Sequence, residues 1–237
     1  MSRIDMSQSS SLTYLVCATP RSGSTLLCEA LRHTGLAGKP DEYFGPMHVE
    51  RWNKEWRTQS AGEYLERVRR QGCGANGVWG AKIMRLYWRN FVGQLGQADK
   101  ERGGSPLVGG ESLSQTESDL ELLRRVFPRL HFVFITRRHK IRQAVSWLKF
   151  IQGMAWFWEK DKPQVLGRLE FRPEVIDGFL RQTALHESAW LEFFRRAGVQ
   201  PHIVVYEDLA ADYEQTAKGV LDYLGVEYPP ALRFKKR

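Results

Sequence analysis

Near the start of the chain, an apolar run, a short polar loop and an amphipathic segment follow one another without a break. The run "LTYLVCAT" (12–19) is rich in β-forming residues and is bounded by Pro20, which predicts a buried strand. From Ser24 onward, apolar residues recur at helical spacing until Gly35, a residue type common at helix C-caps. A strand that passes through a tight loop into a helix is a unit of a parallel sheet, so an α/β protein is predicted.

The rest of the chain continues this alternation of short apolar runs and amphipathic segments. Further strands are predicted at 77–84, 131–136 and 202–209, and further helices at 114–127, 141–158, 173–198 and 213–225. The glycine-rich polar stretch 96–112 is predicted to be a surface loop. The predicted fold is α/β, with a P-loop-type central parallel sheet flanked by helices on both faces in a single domain. The polar residues 1–11 are expected to form a disordered tail, and 12–237 the domain.

Charge and cysteine content narrow the classes of ligand. The 237 residues carry a formal net charge of +8, which attracts anions, but the basic residues are scattered and no nucleic-acid-binding signature is present. An acidic small molecule is therefore favoured over nucleic acid as a ligand. The odd cysteine number, three, and their spacing indicate neither a disulfide framework nor a metal site. Without a run of about 18 apolar residues, no transmembrane segment is predicted, and the polar N-terminus lacks a signal-peptide core, so the cytoplasm is the expected location.

The loop between the first strand and helix has the features of an anion-binding site. Backbone N–H groups at the start of a helix point toward one spot and carry partial positive charge. Gly23 allows close approach of the backbone, and Arg21 adds a planar cation. The predicted anion-binding residues are Pro20, Arg21, Ser22, Gly23, Ser24, Thr25 and Leu26.

This loop differs from an ATP-binding P-loop. Ala18 and Thr19 stand where the first glycine of the Walker pattern would fall, and Ser24 replaces its lysine. The strand at 131–136 ends in Arg137 and Arg138 rather than in an aspartate that could hold magnesium. A P-loop small-molecule kinase is thus a disfavoured alternative. A non-catalytic protein that binds anions or nucleic acid is the other alternative, motivated by the net charge.

The segment "ATPRSGSTLL" resembles the 5′-phosphosulfate loop of sulfotransferases that use 3′-phosphoadenosine-5′-phosphosulfate (PAPS). Those enzymes have a variant P-loop and no metal site. They also bind the 3′-phosphate of the donor with an arginine at a strand end and a serine on the following helix. Arg137 and Ser146, nine residues later, match that pair. Many sulfotransferases space the pair one residue closer, which makes Arg138 a competitor for the role.

Within that superfamily, three segments resemble the bacterial trehalose 2-sulfotransferase family, which is similar to other glycolipid sulfotransferases. They are "PRSGSTLLCEALRHTGLAGKPDEYF", "NGVWGAKIM" and "RQAVSWLKFIQ", in the family's order. The resemblance extends over about residues 12–230. It implies a PAPS-dependent carbohydrate sulfotransferase domain over 12–237 that needs no metal and acts on a hydroxyl of a carbohydrate or glycolipid. Members of the family dimerise, so a homodimer is an expectation.

The resemblance also implies a general base. Glu42 matches the family's base, while Asp41 is the neighbouring rival and His33 and His48 are outside candidates. The segment around Glu42 follows the first helix, and on that ground it is expected near the carboxyl ends of the strands, where α/β sheets bind ligands. Aromatic rings there could stack on a sugar. The expected acceptor-binding residues are Lys39, Pro40, Asp41, Glu42, Tyr43, Phe44 and Trp52.

Three further residues have open interpretations. Lys82, at the end of a predicted strand, either points into the site or lies on the surface. Tyr206 is either a neighbour of the donor adenine or a packing residue, and Gln152 matches a family residue that could face the pocket.

Overall fold

The structure is a computed structural model that describes residues 12–104, 115–127, 129–153, 170–232 and 234. The expected tail 1–11, the last five residues of the helix predicted at 141–158, and residues 105–112 of the glycine-rich stretch lie outside the described residues.

A four-stranded parallel sheet forms the centre of the fold. Its strands are β1 (Leu12–Ala18), β2 (Val78–Met84), β3 (Leu130–Thr136) and β4 (His202–Val205), in the spatial order β2-β1-β3-β4. All residues of β1 are buried because strands lie on both sides of it and helices cover both faces. The chain leaves β1 toward β2 on one side and later adds β3 on the other. This change of direction creates a crevice at the carboxyl ends of the strands, where ligands bind in such sheets.

Helices cover both faces, as predicted. They are α1 (Ser24–Thr34), α2 (Pro46–Trp56), α3 (Ala61–Gly72), α4 (Trp88–Glu101), α5 (Gln115–Val126), α6 (Lys140–Ile151), α7 (Pro173–Arg196), α8 (Tyr206–Ala211) and α9 (Tyr213–Leu224). Tyr14 and Val16 of β1 pack with apolar residues of α1 and α9, whereas Leu15 and Cys17 pack with those of α3, α4, α5 and α7. The alternation of β1 side chains between the two clusters makes one domain with two apolar layers. Gly35 caps α1 at φ 71°, as expected from the sequence.

Three predicted boundaries are wrong. The helix predicted at 141–158 ends at Ile151, and the described residues 152–153 after it form a turn. The strand predicted at 202–209 ends at Val205, and the next residues form α8. Glu207 and Asp208 lie in the first turn of this helix, where carboxylates are favourable. The predicted surface loop at 96–112 begins inside α4, because Leu95 and Ala98 are buried core positions that keep the chain helical despite its glycines.

Candidate functional site

The loop after β1 adopts an unusual backbone conformation. Arg21 has φ 61° and Gly23 has φ 94°, both in the left-handed region, and the Ser22 N–H donates to the Thr19 carbonyl at 3.2 Å. No side chain caps the start of α1, so its first amides are not occupied by a capping oxygen. Left-handed residues within a loop at a helix start form concave sets of N–H groups that bind anions. The loop therefore has the backbone of an anion site.

Two arginines converge on this loop. Arg21 Nε donates to Ser146 Oγ at 3.1 Å, and its guanidinium lies 5.3 Å from the centre of the Phe150 ring. Burial lowers the pKa of Arg21, and the nearby positive charge of Arg137 lowers it further. Like charges held together in a half-buried position favour the binding of an anion between them.

Three buried polar atoms around the loop, one of them Gln143 Oε1, have no hydrogen-bond partner among the described residues. The other two, Ser22 Oγ and Arg137 Nε, lie where a ligand would bind. The carboxylate that forms an ion pair with Arg137, that of Glu207, lies 3.9 Å from its Nε, too far for a hydrogen bond. Buried polar groups are rarely left unsatisfied, so these atoms fit a site whose ligand supplies the missing partners.

The two successive arginines after β3 point to different places. Arg138 is exposed and donates from Nη2 to both Asp208 carboxylate oxygens, at 2.7 and 2.6 Å. Arg137 is 15% exposed and close enough to Arg21 to affect its pKa. Since Ser146 is also bonded to Arg21, the geometry favours Arg137 over Arg138 as the partner of Ser146.

The segment after α1 reaches the loop by a longer path than the sequence suggested. Helix α1 runs antiparallel to the strands, so it ends at the amino edge of the sheet. The Asn76 side chain donates to the Leu36 carbonyl, and a Cβ on Gly38 would lie 2.5 Å from the carbonyl oxygen of Val78, the first residue of β2. The chain then follows β2, whose Lys82 N–H donates to the Asp41 carbonyl at 2.9 Å. The segment comes level with the loop only near Glu42.

This path separates the expected acceptor residues. The exposed Lys39 lies near the amino end of β2, with its N–H bonded to the Gly72 carbonyl, so the structure contradicts its expected position beside the loop. Pro40, next to it, is buried. Asp41 and Glu42 are adjacent in the segment that runs along β2, and only one of these two acidic side chains lies beside the loop.

Glu42 is that side chain. Its carboxylate lies 3.0 Å from Lys82 Nζ and 3.9 Å from His48 Nε2, and it helps to raise the pKa of Tyr87, whose own burial is the larger cause. Lys82 Nζ also lies 3.4 Å from Thr25 Oγ1. Because Lys82 touches both Glu42 and the loop, it links a carboxylate directly to the anion site.

Asp41, the rival carboxylate, faces another direction. Its Oδ2 pairs with Arg32 of α1 at 3.3 Å, and its Oδ1 accepts from the Glu42 N–H at 2.8 Å. These contacts hold the backbone that presents Glu42, so Asp41 is a support for the site.

Of the three aromatic residues expected to stack on a sugar, Tyr43, Phe44 and Trp52, the first two are buried. Tyr43 and Phe44 are each 2% exposed and belong to the core beside Tyr64 and Phe91. The rings that surround them come from α3 and α4, so neither side chain is free to stack on a sugar. The half-buried Trp52 stacks on Trp56, with ring centres 4.5 Å apart, along the flank of α2.

Comparison with known proteins identifies the kind of site. The sequence model of the Stf0 sulphotransferase family matches residues 13–236. The chain belongs to this family. The trehalose 2-sulfotransferase of Mycobacterium tuberculosis (strain ATCC 35801 / TMC 107 / Erdman) is 28% identical over 90% of this chain and 84% of its own. The trehalose 2-sulfotransferase of Mycolicibacterium smegmatis (strain ATCC 700084 / mc(2)155) is 30% identical over the same shares.

A sulfotransferase from Alicyclobacillus acidocaldarius has a crystal structure with a TM-score of 0.46 and 12% identity, covering 95% of this chain and 86% of that one. Of the helices within the described ranges, none has the length and apolar character needed to cross a membrane. In the same ranges, no group of three His, Cys, Asp or Glu side chains is arranged to hold a metal ion.

One residue beside this Stf0 loop, Gln143, was not expected from the sequence. Gln143 Nε2 donates to Thr19 Oγ1 at 3.0 Å and to the Pro20 carbonyl at 2.8 Å, so α6 holds the loop from above. Gln152 instead bonds the backbone of Glu170 and does not face the loop. The sequence signal for Lys82 was its position in an otherwise apolar strand, where a lysine is costly unless it is paired.

Proposed function

We propose that this Stf0 family member transfers a sulfuryl group from PAPS to a hydroxyl of a carbohydrate or glycolipid, with Glu42 as the general base and no metal. The observation that carries the proposal is the Lys82 ammonium, which lies between Glu42 and Thr25 of the anion-binding loop. A proton acceptor next to an anion site is what sulfuryl transfer to an alcohol requires.

The residues of the loop and of the two arginines fit the anionic groups of PAPS. The loop amides, Ser22 and Arg21 would hold the 5′-phosphosulfate, which supplies the sulfuryl group. Arg137 and Ser146 would hold the 3′-phosphate. The fit rests on the buried Ser22 Oγ and Arg137 Nε, both of which lack a partner among the described residues.

Each polar side chain near the transfer point has a task. Glu42 takes the proton of the acceptor hydroxyl while the oxygen of that hydroxyl bonds to sulfur. The Arg21 guanidinium stabilises the negative charge that grows on the departing phosphate, and Lys82 is close enough to the loop to share that role. By analogy with phosphoryl transfer, the transition state is loose, so the base need not be strong.

A sugar acceptor is supported by the two trehalose 2-sulfotransferases that resemble the chain over most of its length. The acceptor would lie between the loop and α2, where Glu42, His48 and Tyr87 meet around Gly45. Hydrogen-bonding groups therefore dominate the proposed acceptor pocket, since Tyr43 and Phe44 are buried. A homodimer and a cytoplasmic location stay predictions.

Ligand-induced thermal stabilisation tests the proposal against its alternatives. With chelator present, adenosine 3′,5′-bisphosphate at about 100 times its dissociation constant should raise Tm by roughly 5–10 °C. A kinase would respond to ATP with magnesium instead, and a nucleic-acid-binding protein to oligonucleotides alone. Incubation with labelled PAPS and a panel of sugars and glycolipids should then yield a sulfated product. No transfer to any carbohydrate, despite bisphosphate binding, would contradict the acceptor class.

Replacement of Arg137 by alanine should chiefly raise the KM for PAPS, because the 3′-phosphate is remote from the reacting sulfur and its contacts stabilise ground and transition states alike. Loss of a charge-assisted hydrogen bond of about 1.5–3 kcal/mol corresponds to a roughly 10- to 150-fold rise. Arg138→Ala is the matched control, and it should change KM little because Arg138 is exposed and paired with Asp208. Steady-state kinetics measure both. The opposite order of effects would assign the 3′-phosphate to Arg138.

A further inference from the structure

Three neighbouring strand ends bring Tyr206 beside the anion site. Thr136 of β3 and Val205 of β4 are register partners, so the residues that follow them, Arg137 and Tyr206, emerge side by side. On the other side of β3, β1 runs into the loop that contains Gly23. The Tyr206 side chain lies between Arg137 and the loop that contains Gly23.

The Tyr206 ring contacts both Arg137 and Gly23. The Arg137 guanidinium lies 4.4 Å from the ring centre, within the range of a cation–π contact. A Cβ atom on Gly23 would lie 2.3 Å from Tyr206 Cδ2, so the ring is packed against the glycine backbone. One aromatic ring therefore joins the arginine after β3 to the loop after β1.

Hydrogen bonds join the start of α8, which carries Tyr206, to the residues that follow β3. Glu207 accepts hydrogen bonds from the backbone N–H groups of Arg138 and His139, at 2.9 and 3.1 Å. Asp208 pairs with the Arg138 side chain. These bonds fix the start of α8 to the end of β3, so Tyr206 is attached to a rigid element on the same strand end that carries Arg137.

We propose that Tyr206 is a positioning residue that holds the Arg137 guanidinium against the loop, and so gives the site its preference for nucleotides with a 3′-phosphate. This inference rests on the donor assignment of the proposed function. Arg137 has a long side chain whose Nε makes no hydrogen bond among the described residues. Ring stacking restricts that side chain before the ligand arrives, and a preorganised side chain loses less conformational freedom on binding.

Calorimetric titration of the full chain with two nucleotides tests the inference. Adenosine 3′,5′-bisphosphate and adenosine 5′-monophosphate differ only in the 3′-phosphate. The dissociation constant of the monophosphate divided by that of the bisphosphate therefore measures the 3′-phosphate contacts, which the proposed function assigns to Arg137 and Ser146. Tyr206→Leu, which removes the ring face, should lower this ratio by roughly five- to twentyfold. Tyr206→Phe keeps the ring and should restore the ratio to within about twofold of wild type. In an Arg137→Ala background, Tyr206→Leu should have no further effect on the ratio, because the two residues act through one contact.

Binding of the monophosphate shows whether each variant still has a folded loop. Equal weakening of both nucleotides by Tyr206→Leu would mean that the ring acts on the shared adenosine 5′-phosphate part, and the inference would be overturned. An unchanged ratio in Tyr206→Leu, with a clear 3′-phosphate preference in the wild type, would overturn it as well while leaving the donor assignment intact. A wild-type protein without that preference would overturn both.

Discussion

Replacement of Arg21 by alanine should lower the turnover of sulfuryl transfer by roughly 10²–10³-fold, the cost of removing one preorganised donor from a developing negative charge. Arg21 is the charged side chain of the loop itself, and its Nε is already oriented by Ser146 at 3.1 Å. Transfer of label from PAPS to a sugar acceptor measures the loss.

The fold should survive this substitution. Arg21 has φ 61°, so a side chain with a Cβ atom already occupies the left-handed region, and alanine adds no backbone strain there. Removal of the guanidinium also relieves the repulsion from Arg137, which adds to the larger effect of burial in lowering the pKa of Arg21. The Tm of Arg21→Ala should stay close to that of wild type, because loss of the hydrogen bond to Ser146 opposes the relief of this repulsion. Arg21→Lys, which keeps the charge without the planar fork, should fall between the two in activity. A loss smaller than about fivefold in Arg21→Ala would remove Arg21 from the reacting centre.

The first strand, loop and helix could be predicted because each leaves a local signal. The apolar run, the polar loop with Gly23 and the C-cap Gly35 all agree, and the structure has β1 and α1 at nearly the predicted bounds. The positive φ of Arg21 left no comparable signal, because arginine is not a residue type that favours it.

The proposed acceptor half of the site was harder to predict because its geometry depends on how distant segments pack. Sequence order placed the segment after α1 beside the loop, whereas the helix carries the chain to the opposite edge first. Tyr43 fills the core instead of lining a pocket, and the Tyr64 hydroxyl donates to the Tyr43 carbonyl from α3 at 2.5 Å. That contact joins residues 21 positions apart, and no local pattern reports it.

The proposed donor half of the site shows the same dependence on topology. The sequence left open which of two adjacent arginines faces the site, since both follow β3 directly. The strand order favours Arg137: β4 and α8 lie beside β3, Asp208 of α8 pairs with Arg138, and Tyr206 lies over Arg137. Which of the two adjacent arginines faces the proposed site therefore depends on a helix some 70 positions away in the sequence.

Glu42→Gln should bind PAPS almost normally but lower turnover by roughly 10²–10⁴-fold, because the amide cannot take the acceptor proton. The fold should persist, since the amide oxygen can still accept from Lys82 Nζ, which lies 3.0 Å from the carboxylate and would otherwise be left buried and unpaired. Asp41→Asn is the adjacent control. Its amide oxygen can still accept the Glu42 N–H, and only the half-buried ion pair with Arg32 is lost, so most activity should remain. Single-turnover transfer with saturating PAPS separates the chemical step from binding. Near-wild-type turnover in Glu42→Gln, together with a loss in His48→Ala or Asp41→Asn, would place the base elsewhere and limit the assignment to the donor half of the site.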